Sequence, residues 1–260
     1  MLKDKLRAFF MHLLISGILA LISLALVYLV WNPAPLYKAT GITKIFLLML
    51  GIDLVLGPLL TFIVYKKGKK TLKFDLFVIG LLQLIALVYG LYHVYEGRPV
   101  WIAYNVDRFD LVRVNEIDTR KLDQAKPEYR QPSSTTPKYV AAIIPNDDIE
   151  QKNQILFDEI GNGIAPSQRP ELYQPLEQAY LKIKQRALPL TELDKYNAPD
   201  LVKQTLMHYP QADSFVPLKA NAVDMTVLID KKNGGKVVKI VDLRPWQYTD
   251  NKTSSQPVKQ

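Results

Sequence analysis

One acidic side chain, Asp53, lies near the middle of a long apolar stretch, Ile42 to Tyr65, which reads ITKIFLLMLGIDLVLGPLLTFIVY. About 20 apolar residues in a helix span the hydrocarbon core of a bilayer, which is about 30 Å thick. A carboxylate at that depth is costly, so it normally faces a protein interior and has a specific partner. Asp53 is therefore the first candidate for chemistry, either sharing a proton or pairing with a charge.

Several side chains of the same chain could satisfy Asp53. Gln83, in the following apolar stretch, is predicted to lie within about 5 Å of Asp53 in depth, at a rise of about 1.5 Å per residue. Tyr89 and Lys73 are further candidates. The alternative is a polar group on a helix of another protein, where mutual satisfaction gives recognition. The sequence leaves both possibilities open.

Small residues surround Asp53 in the same stretch. Gly51, Gly57 and Thr61 allow a second helix to approach closely. Pro58 has no amide hydrogen and should bend the helix. We expect Asp53, Gly57 and Pro58 to belong to one contact site within the membrane.

Nothing else in the chain forms a recognisable catalytic or metal-binding constellation. The sequence has no G-x-S-x-G elbow, H-E-x-x-H helix, Walker loop or Rossmann glycine fingerprint. His208 is the only histidine after the third apolar stretch, and His12 and His93 are interpreted as residues at opposite membrane faces. Asp147-Asp148 fits a pair of acids at a helix N-terminus, and Asp107-Arg108 fits an ion pair. We predict a protein that is not an enzyme and holds no cofactor or metal.

The charge of the chain is concentrated beside its apolar stretches. Of the net +8, residues 1–94 carry +7, from ten Lys and Arg against three Asp, and residues 95–260 carry +1. Nucleic-acid binding needs a basic surface on the soluble part, which is nearly neutral here, so we exclude that class of partner. There is no cysteine, which excludes disulfides and thiolate metal sites.

Three membrane spans are predicted: about Phe9 to Trp31, Ile42 to Tyr65, and about Phe74 to Tyr95. The first is interpreted as an uncleaved anchor, because it exceeds 20 residues and has no small-residue cleavage site. Basic residues mark the MLKDKLR head and the KKGKKTLK loop between the second and third spans. By the positive-inside rule these are cytoplasmic, and everything after Tyr95 is periplasmic.

The predicted fold class is α+β, with a three-span domain at 1–95, a mixed domain at 96–248 and a disordered tail at 249–260. Val100 and the residues after it have the β-branched and aromatic content of two extended segments. The other predicted elements are a loop or mobile insertion at about 123–138, a strand Tyr139–Ile144, a helix from Asp147 to about Ile160, an amphipathic helix Pro170–Arg186, short helices Leu190–Tyr196 and Pro199–His208, and a hairpin of Met225–Ile229 with Val237–Val241. In that hairpin, Asn233-Gly234 suits a turn with positive φ.

Several of these motifs together resemble the type IV pilin accessory proteins. The family consists of inner-membrane proteins of Gram-negative bacteria, commonly encoded next to the major pilin. The distinctive elements, mostly within residues 1–115, are Asp53 with Gly57-Pro58, Lys73 with Asp75, Gln83, Gly97-Arg98-Pro99, and Asp107-Arg108-Phe109.

The resemblance implies a role in producing or assembling a type IV pilus. The expected partners are the transmembrane helix and head of the major pilin, membrane lipid, and other inner-membrane components of pilus assembly. A pilin helix waiting in the membrane has a glutamate near its N-terminus and a free amine after processing, and both are costly in lipid. We expect Asp53, Gly57, Pro58, Gln83 and Lys73 to receive that helix.

A second group is expected to contact the partner outside the membrane. It consists of Arg98, Asp107, Arg108 and Phe109. The alternative function is a periplasmic sensor or anchor that acts through a separate membrane partner. Crosslinking in cells separates the two, since pilin would be the main product only for an accessory protein.

Overall fold

Three long helices make up most of the first 96 residues. In this computed structural model, which describes residues 2–145 and 149–247, they are α1 (Leu2–Ala25), continued by a π-helix (Leu26–Trp31), α3 (Ile42–Val64) and α4 (Leu72–Glu96). A short helix, α2 (Leu36–Thr40), connects the first two. Each long helix is long and apolar enough to cross a membrane, which confirms the three predicted spans. The predicted acids Asp147-Asp148 and the tail 249–260 lie outside the described residues.

The central helix of this helical unit is α3, which packs against both α1 and α4. The shared core is small and consists of Val27, Phe46, Leu50, Leu87 and Val94. Most other apolar side chains of these helices point away from the unit. Exposed apolar side chains on these helices are energetically favourable when the helices are surrounded by lipid.

The rest of the described chain, residues 97–247, forms a sheet domain. Its strands are β1 (Pro99–Asn105), β2 (Arg108–Arg113), β3 (Lys138–Ala142), β4 (Tyr173–Gln174), β5 (Leu188–Pro189), β6 (Ser214–Lys219), β7 (Met225–Asp230) and β8 (Lys236–Val241). The order is β4-β3-β1-β2-β6-β7-β8, with β5 beside β6. The β1–β3 and β2–β6 pairs are parallel and the others antiparallel. The α+β class is confirmed.

Helices cover both faces of this sheet. The α-helices are α5 (Pro127–Arg130), α6 (Ile149–Asn162), α7 (Tyr180–Arg186) and α8 (Pro199–Met207), and the 3-10 helices are Val114–Glu116, Leu122–Gln124, Pro166–Gln168, Pro170–Leu172, Leu176–Ala179 and Leu190–Lys195. On one face Ile183 of α7 packs with Phe109 and Val216, and on the other Val202 of α8 packs with Phe215. Alternating strand residues thus reach two separate apolar cores.

The predicted amphipathic helix from Pro170 to Arg186 is wrong over its first half. The segment is broken into two 3-10 turns and the short strand β4, and only α7 is an α-helix. Pro175 explains the break, because it has no amide hydrogen to donate within a helix. The apolar spacing was nonetheless informative, since Leu172, Leu176 and Ile183 are buried.

Residues 123–138, predicted as a loop or mobile insertion, are attached to the sheet domain. Tyr129 of α5 is buried, with its ring centroid 5.9 Å from that of Trp101 and 5.8 Å from that of Tyr173. The mobility of the segment stays a prediction.

The predicted C-terminal hairpin is confirmed as β7 and β8. Its turn differs in detail, because the positive φ angles fall on Gly234 and Gly235, both at 85°. Glycine adopts this conformation without the steric cost that a Cβ would bring. Asn233 therefore only precedes the turn's left-handed residues.

The connector between α1 and α3 is built into the sheet domain. Leu36 and Ala39 belong to the domain's main core, and the carbonyl of Ala39 accepts hydrogen bonds from the amides of Ala222 (2.9 Å) and Val223 (3.3 Å). Lys38 Nζ lies 2.6 Å from a carboxylate oxygen of Asp242. The helical unit and the sheet domain are thus joined by packing as well as by the α4–β1 junction.

Replacing Gly41 by Ala should loosen this joint. Gly41 has φ +71°, and a Cβ there would meet the Cβ of Ala222 at 2.7 Å. We expect a loss of about 1 kcal/mol from the left-handed backbone and of about 1 kcal/mol or more from overpacking. Thermal unfolding and limited proteolysis of the detergent-solubilised protein measure it.

Gly68→Ala is the matched control. Gly68 has φ +85°, but a Cβ there would meet nothing within 4 Å. It should lose only the backbone contribution. Equal destabilisation by the two substitutions would show that the contact with Ala222 does not hold the joint.

An ion-pair network ties α6 to the loops of the sheet domain. Asp158 Oδ2 lies 2.8 Å from Arg169 Nη1 and 3.1 Å from Arg120 Nη2, and Arg169 also pairs with Glu171 at 2.9 Å. Hydrogen bonds from Arg169 and then from Arg120 lower the pKa of Asp158 to about 2. Arg169 is almost fully buried, so it depends on these partners.

Acid should therefore release α6. In an unfolded chain the carboxyl of Asp158 titrates near 3.8, so the network stabilises the fold fully above that pH and loses its contribution as the pH falls towards 2. Hydrogen exchange of α6 amides, corrected for intrinsic rates, should show protection at pH 5 that declines across this window. Asp158→Asn should lower the protection of the α6 amides at the upper end of this pH window as well as at the lower end. Full protection at pH 2 would contradict the role of the network.

Candidate functional site

A polar cluster lies inside the helical unit, formed by His12 and Ser16 of α1, Thr61 of α3 and Gln83 of α4. The ring of His12 bridges two helices, with Nδ1 2.6 Å from Thr61 Oγ1 and Nε2 2.9 Å from Gln83 Oε1. Gln83 Nε2 donates to Ser16 Oγ at 3.2 Å and to the backbone carbonyl of Asp53. Gln83 thus links α4 to both other helices.

For a neutral His12 ring, the hydrogen bonds determine which nitrogen carries the hydrogen. Gln83 must turn its NH₂ group towards the Asp53 carbonyl, because that oxygen can only accept. Its Oε1 then faces His12 Nε2, which must carry a hydrogen in order to donate. In the neutral ring Nδ1 is an acceptor, and the hydroxyl of Thr61 donates to it. Each polar side chain of the cluster is satisfied in this arrangement.

Gly57 and Pro58 make room for Gln83. Both residues are buried, and a Cβ on Gly57 would collide with the amide group of Gln83. Pro58 cannot donate to the carbonyl of Leu54, and its ring disturbs this turn of α3. Carbonyl groups so disturbed are open to side-chain donors, and Gln83 uses the adjacent one, that of Asp53.

The side chain of Asp53 is not satisfied by the cluster. Its Oδ2 atom is buried and has no hydrogen-bond partner among the described residues. Asp53 lines a cavity of about 100 Å³ together with Ser16, Gln83 and apolar residues of all three long helices. A cavity of this size that is lined in part by polar groups can take a small polar group, as buried cavities with polar partners do.

The cavity belongs to a groove between α1 and α4 with α3 as its floor. Both flanking helices pack on α3, and they meet one another through Gln83 and, near the sheet domain, through the rings of Trp31 and Tyr95, 5.1 Å apart. Leu19 and Leu84, on opposite walls, are exposed to 38% and 48%. We call this feature the α1–α4 groove.

Two of the internal partners considered for Asp53 lie too far along α4. Gln83 is at the level of Asp53, so Lys73, ten residues earlier, is about 15 Å away along the axis, and Tyr89, six residues later, about 9 Å. Lys73 is exposed in the first turn of α4, and the ring of Tyr89 makes an edge-to-face contact with His93, with ring centroids 4.4 Å apart. Pairing of Asp53 with either residue is therefore excluded in this structure.

Arg98, expected to contact a partner outside the membrane, is buried at the junction of the two parts. Its guanidinium lies 3.5 Å from the ring centroid of Tyr95 and donates to the carbonyls of Tyr95 (2.7 Å) and Ser133 (2.9 Å). These contacts hold the end of α4 against the sheet domain. Because Arg98 is buried, its side chain is not accessible to a partner.

Asp107, Arg108 and Phe109 lie at the β1–β2 turn, at the far end of the sheet from the helical unit. Phe109 is fully buried, and Arg108 pairs with Asp110 at 2.9 Å. Asp107 is exposed beside Val106, a β-branched residue held at φ +58° with 62% of its surface exposed. Of the predicted group, only Asp107 and part of Arg108 are accessible.

Sequence reasoning missed the role of His12, which was interpreted as a residue at the membrane face. The ring instead points between helices to Thr61 and Gln83. The available signal was that His12 and Ser16 are four residues apart, on one side of a helix, in an otherwise apolar stretch. Among the described residues, no three acidic or histidine side chains form a group that could hold a metal ion.

Replacing Gly57 by Ala should displace Gln83 and open the polar cluster. Interhelical hydrogen bonds in membranes contribute about 0.6 kcal/mol each, and three of them depend on Gln83, so we expect a loss of about 2 kcal/mol. Thermal unfolding in detergent measures it. Gly51→Ala is the matched control, because a Cβ there meets nothing within 4 Å. Equal stability of the two variants would contradict the proposed packing.

Comparison with known proteins relates the chain to fimbrial assembly proteins. The model of the family described as "Fimbrial assembly protein FimB" matches residues 1–41. The chain is 31% identical over 230 residues to the fimbrial assembly protein of Dichelobacter nodosus serogroup E1, and 32% identical over 229 residues to that of serogroup I. Each alignment covers 85% of this chain and 88% of the relative.

A further relative matches a shorter part of the chain. The fimbrial assembly protein of D. nodosus serogroups C1 and C2 is 36% identical over 116 residues, which cover 44% of this chain and 88% of the relative. No solved structure matches the chain. Because two relatives exceed 30% identity across most of both sequences, this chain belongs to the family of fimbrial assembly proteins.

Proposed function

We propose that the protein binds the transmembrane helix of the cognate major type IV pilin in the α1–α4 groove and supports its stability or its assembly into pili. The observation that carries the proposal is the buried, unpartnered carboxylate oxygen of Asp53 in a cavity at mid-helix. In a bilayer no water reaches such a group, so it favours a partner that brings a donor.

The chemistry of Asp53 limits the kind of partner. An ionised carboxylate accepts hydrogen bonds from an amine or ammonium group, and a protonated one donates to another carboxylate. A processed pilin helix offers both groups near its N-terminus, an amine and a glutamate. Either group would satisfy Oδ2 of Asp53. The pairing would also remove the free-energy penalty that the pilin group has when it is unpaired in lipid.

The polar cluster beside the groove supports this role by holding its walls. His12, Ser16, Thr61 and Gln83 satisfy one another, so among the described residues that line the cavity Asp53 is the polar side chain with an atom left to bind a partner. The apolar walls of the groove, including Leu19 and Leu84, suit the apolar helix of a pilin. The names of the relatives describe assembly, which favours a binding function over a catalytic one.

The proposed location is the inner membrane, with the head and the Lys-rich loop in the cytoplasm and the sheet domain in the periplasm. The basic residues beside the helices support this orientation. The connector between α1 and α3 packs into the sheet domain, which requires both to be on one side. A pilin head, which lies on that side, could contact the exposed part of the β1–β2 turn around Asp107.

Asp53→Asn should weaken the capture of pilin. The amide keeps the shape of the carboxylate but cannot be ionised or donate a carboxyl proton, so we expect about a five- to tenfold loss of pilin co-purified with the tagged protein from membranes. Surface pili, counted in the same strain, should fall in parallel.

Asp75→Asn is the control, because Asp75 is also a carboxylate next to a membrane helix but pairs with Lys69 at 2.7 Å in the first turn of α4. It should leave pilin capture unchanged. Normal pilin capture and piliation with Asp53→Asn would remove Asp53 from the mechanism. Equal losses in both variants would show a general effect of charge.

A further inference from the structure

One side of α6 carries apolar side chains that no described residue covers. Ile149, Leu156, Phe157 and Ile160 expose 71%, 51%, 72% and 76% of their surfaces. At about 100° per residue, Ile149, Leu156 and Ile160 lie on one line along the helix, with Phe157 beside it. Ile155, which is buried, faces almost the opposite way. A second apolar face on a helix outside the membrane indicates a contact surface.

The first half of α6 lies near the strand ends farthest from the helical unit. Lys152 lines a surface recess with Tyr104 and Val106, at the end of β1, about 20 Å beyond the start of that strand. Glu159 lines another recess, which extends along β2 from Arg108 to Val112. A contact through α6 between two copies in one membrane would require the middle of this helix to run roughly parallel to the membrane plane.

Two opposite charges flank the apolar face on the same side. Lys152 and Glu159 are seven residues apart, or about two turns, and both are exposed. Neither makes a hydrogen bond or salt bridge with another residue in the ranges 2–145 and 149–247. Along α6, the midpoint between Lys152 and Glu159 falls between Ile155 and Leu156.

This arrangement is complementary to itself. If a second α6 packs antiparallel on the first, Lys152 of each copy lies opposite Glu159 of the other. Leu156 and Phe157 of both copies then lie between the two ion pairs, and Ile149 and Ile160 lie beyond them. A two-fold axis that relates two copies in one membrane must stand perpendicular to that membrane. An α6 that lies parallel to the membrane satisfies this condition.

We propose that α6 is the interface of a two-fold symmetric dimer of this chain. Such an interface uses the same patch on both copies. The patch is smaller than a standard protein–protein interface, so the dimer depends on both copies being held in one bilayer at the same height, which raises their effective concentration. The α1–α4 groove of each copy is not used by this contact.

Single cysteines test the geometry, because the chain has none of its own. In the proposed dimer the two copies of residue 156 are offset by about 1.5 Å along the helices, and those of residue 160 by about 14 Å. Disulfides need Cα atoms within about 7 Å. In membranes treated with a mild oxidant, Leu156→Cys should give a linked dimer of the full chain and Ile160→Cys should not.

Charge reversal tests the pairing. In the Leu156→Cys background, Lys152→Glu or Glu159→Lys alone should lower the yield of linked dimer several-fold, and the two together should restore it. A merely apolar contact would not respond in this way.

Three outcomes would overturn the proposal: no linked dimer from Leu156→Cys, equal linkage from Ile160→Cys, or reversals without effect. Linkage of Leu156→Cys to pilin instead of to a second copy would overturn it as well. Pilin capture through Asp53 is measured separately, so either proposal can fail alone.

Discussion

A polar group inside hydrocarbon has no water to bond with, so it must be satisfied by another part of the protein or by a partner. Most of the polar side chains within the helical unit obey the first alternative. His12, Ser16, Thr61 and Gln83 form a closed set of hydrogen bonds across three helices. Asp53 keeps one buried oxygen without a partner. Among the polar side chains that line the cavity, this difference separates those that hold the helices together from Asp53, the residue proposed to bind a partner.

The polar cluster and the connector hold the same three helices at two levels, one in the middle of the unit and one beside the sheet domain. Gln83 sets the spacing of α1, α3 and α4 in the middle of the unit. Leu36 and Ala39 fix the start of α3 to the sheet domain, and Arg98 fixes the end of α4 to it. The walls of the groove are therefore set by the sheet domain as well as by helix packing. A change in the sheet domain could reach the groove through these two attachments.

Much of the fold could be predicted from sequence, because long apolar runs, prolines and a β-hairpin turn have local physical causes. The three spans and β7–β8 followed from such signals. The break before α7 is predictable in principle from Pro175, although the apolar spacing of the segment favours a continuous helix. Gln83 was correctly placed at the depth of Asp53, since helical rise gives depth directly. It contacts the backbone carbonyl of Asp53 and not the carboxylate.

The direction in which a side chain points from its helix could not be predicted from the sequence, because it depends on the rotation of the helix about its own axis. Depth along a helix follows from counting residues, whereas the direction in which His12 points depends on how α1 packs against α3 and α4. The same holds for Phe109 and Arg98, whose burial depends on which side of the sheet and of α4 is covered. The motifs of Arg98 and Phe109 predicted contact with a partner, but both side chains are buried and pack beneath the surface.

The energetics of the groove suit reversible binding. Polar contacts between membrane helices contribute little each, because unbound helices find other partners in the membrane. In the proposed binding mode, one unsatisfied carboxylate would give selectivity for a helix that brings a matching donor, without a large gain in affinity. A protein that holds a subunit before assembly has to release it again. A groove with apolar walls and a single polar contact meets that requirement better than a fully paired ionic site, whose buried charges would separate slowly.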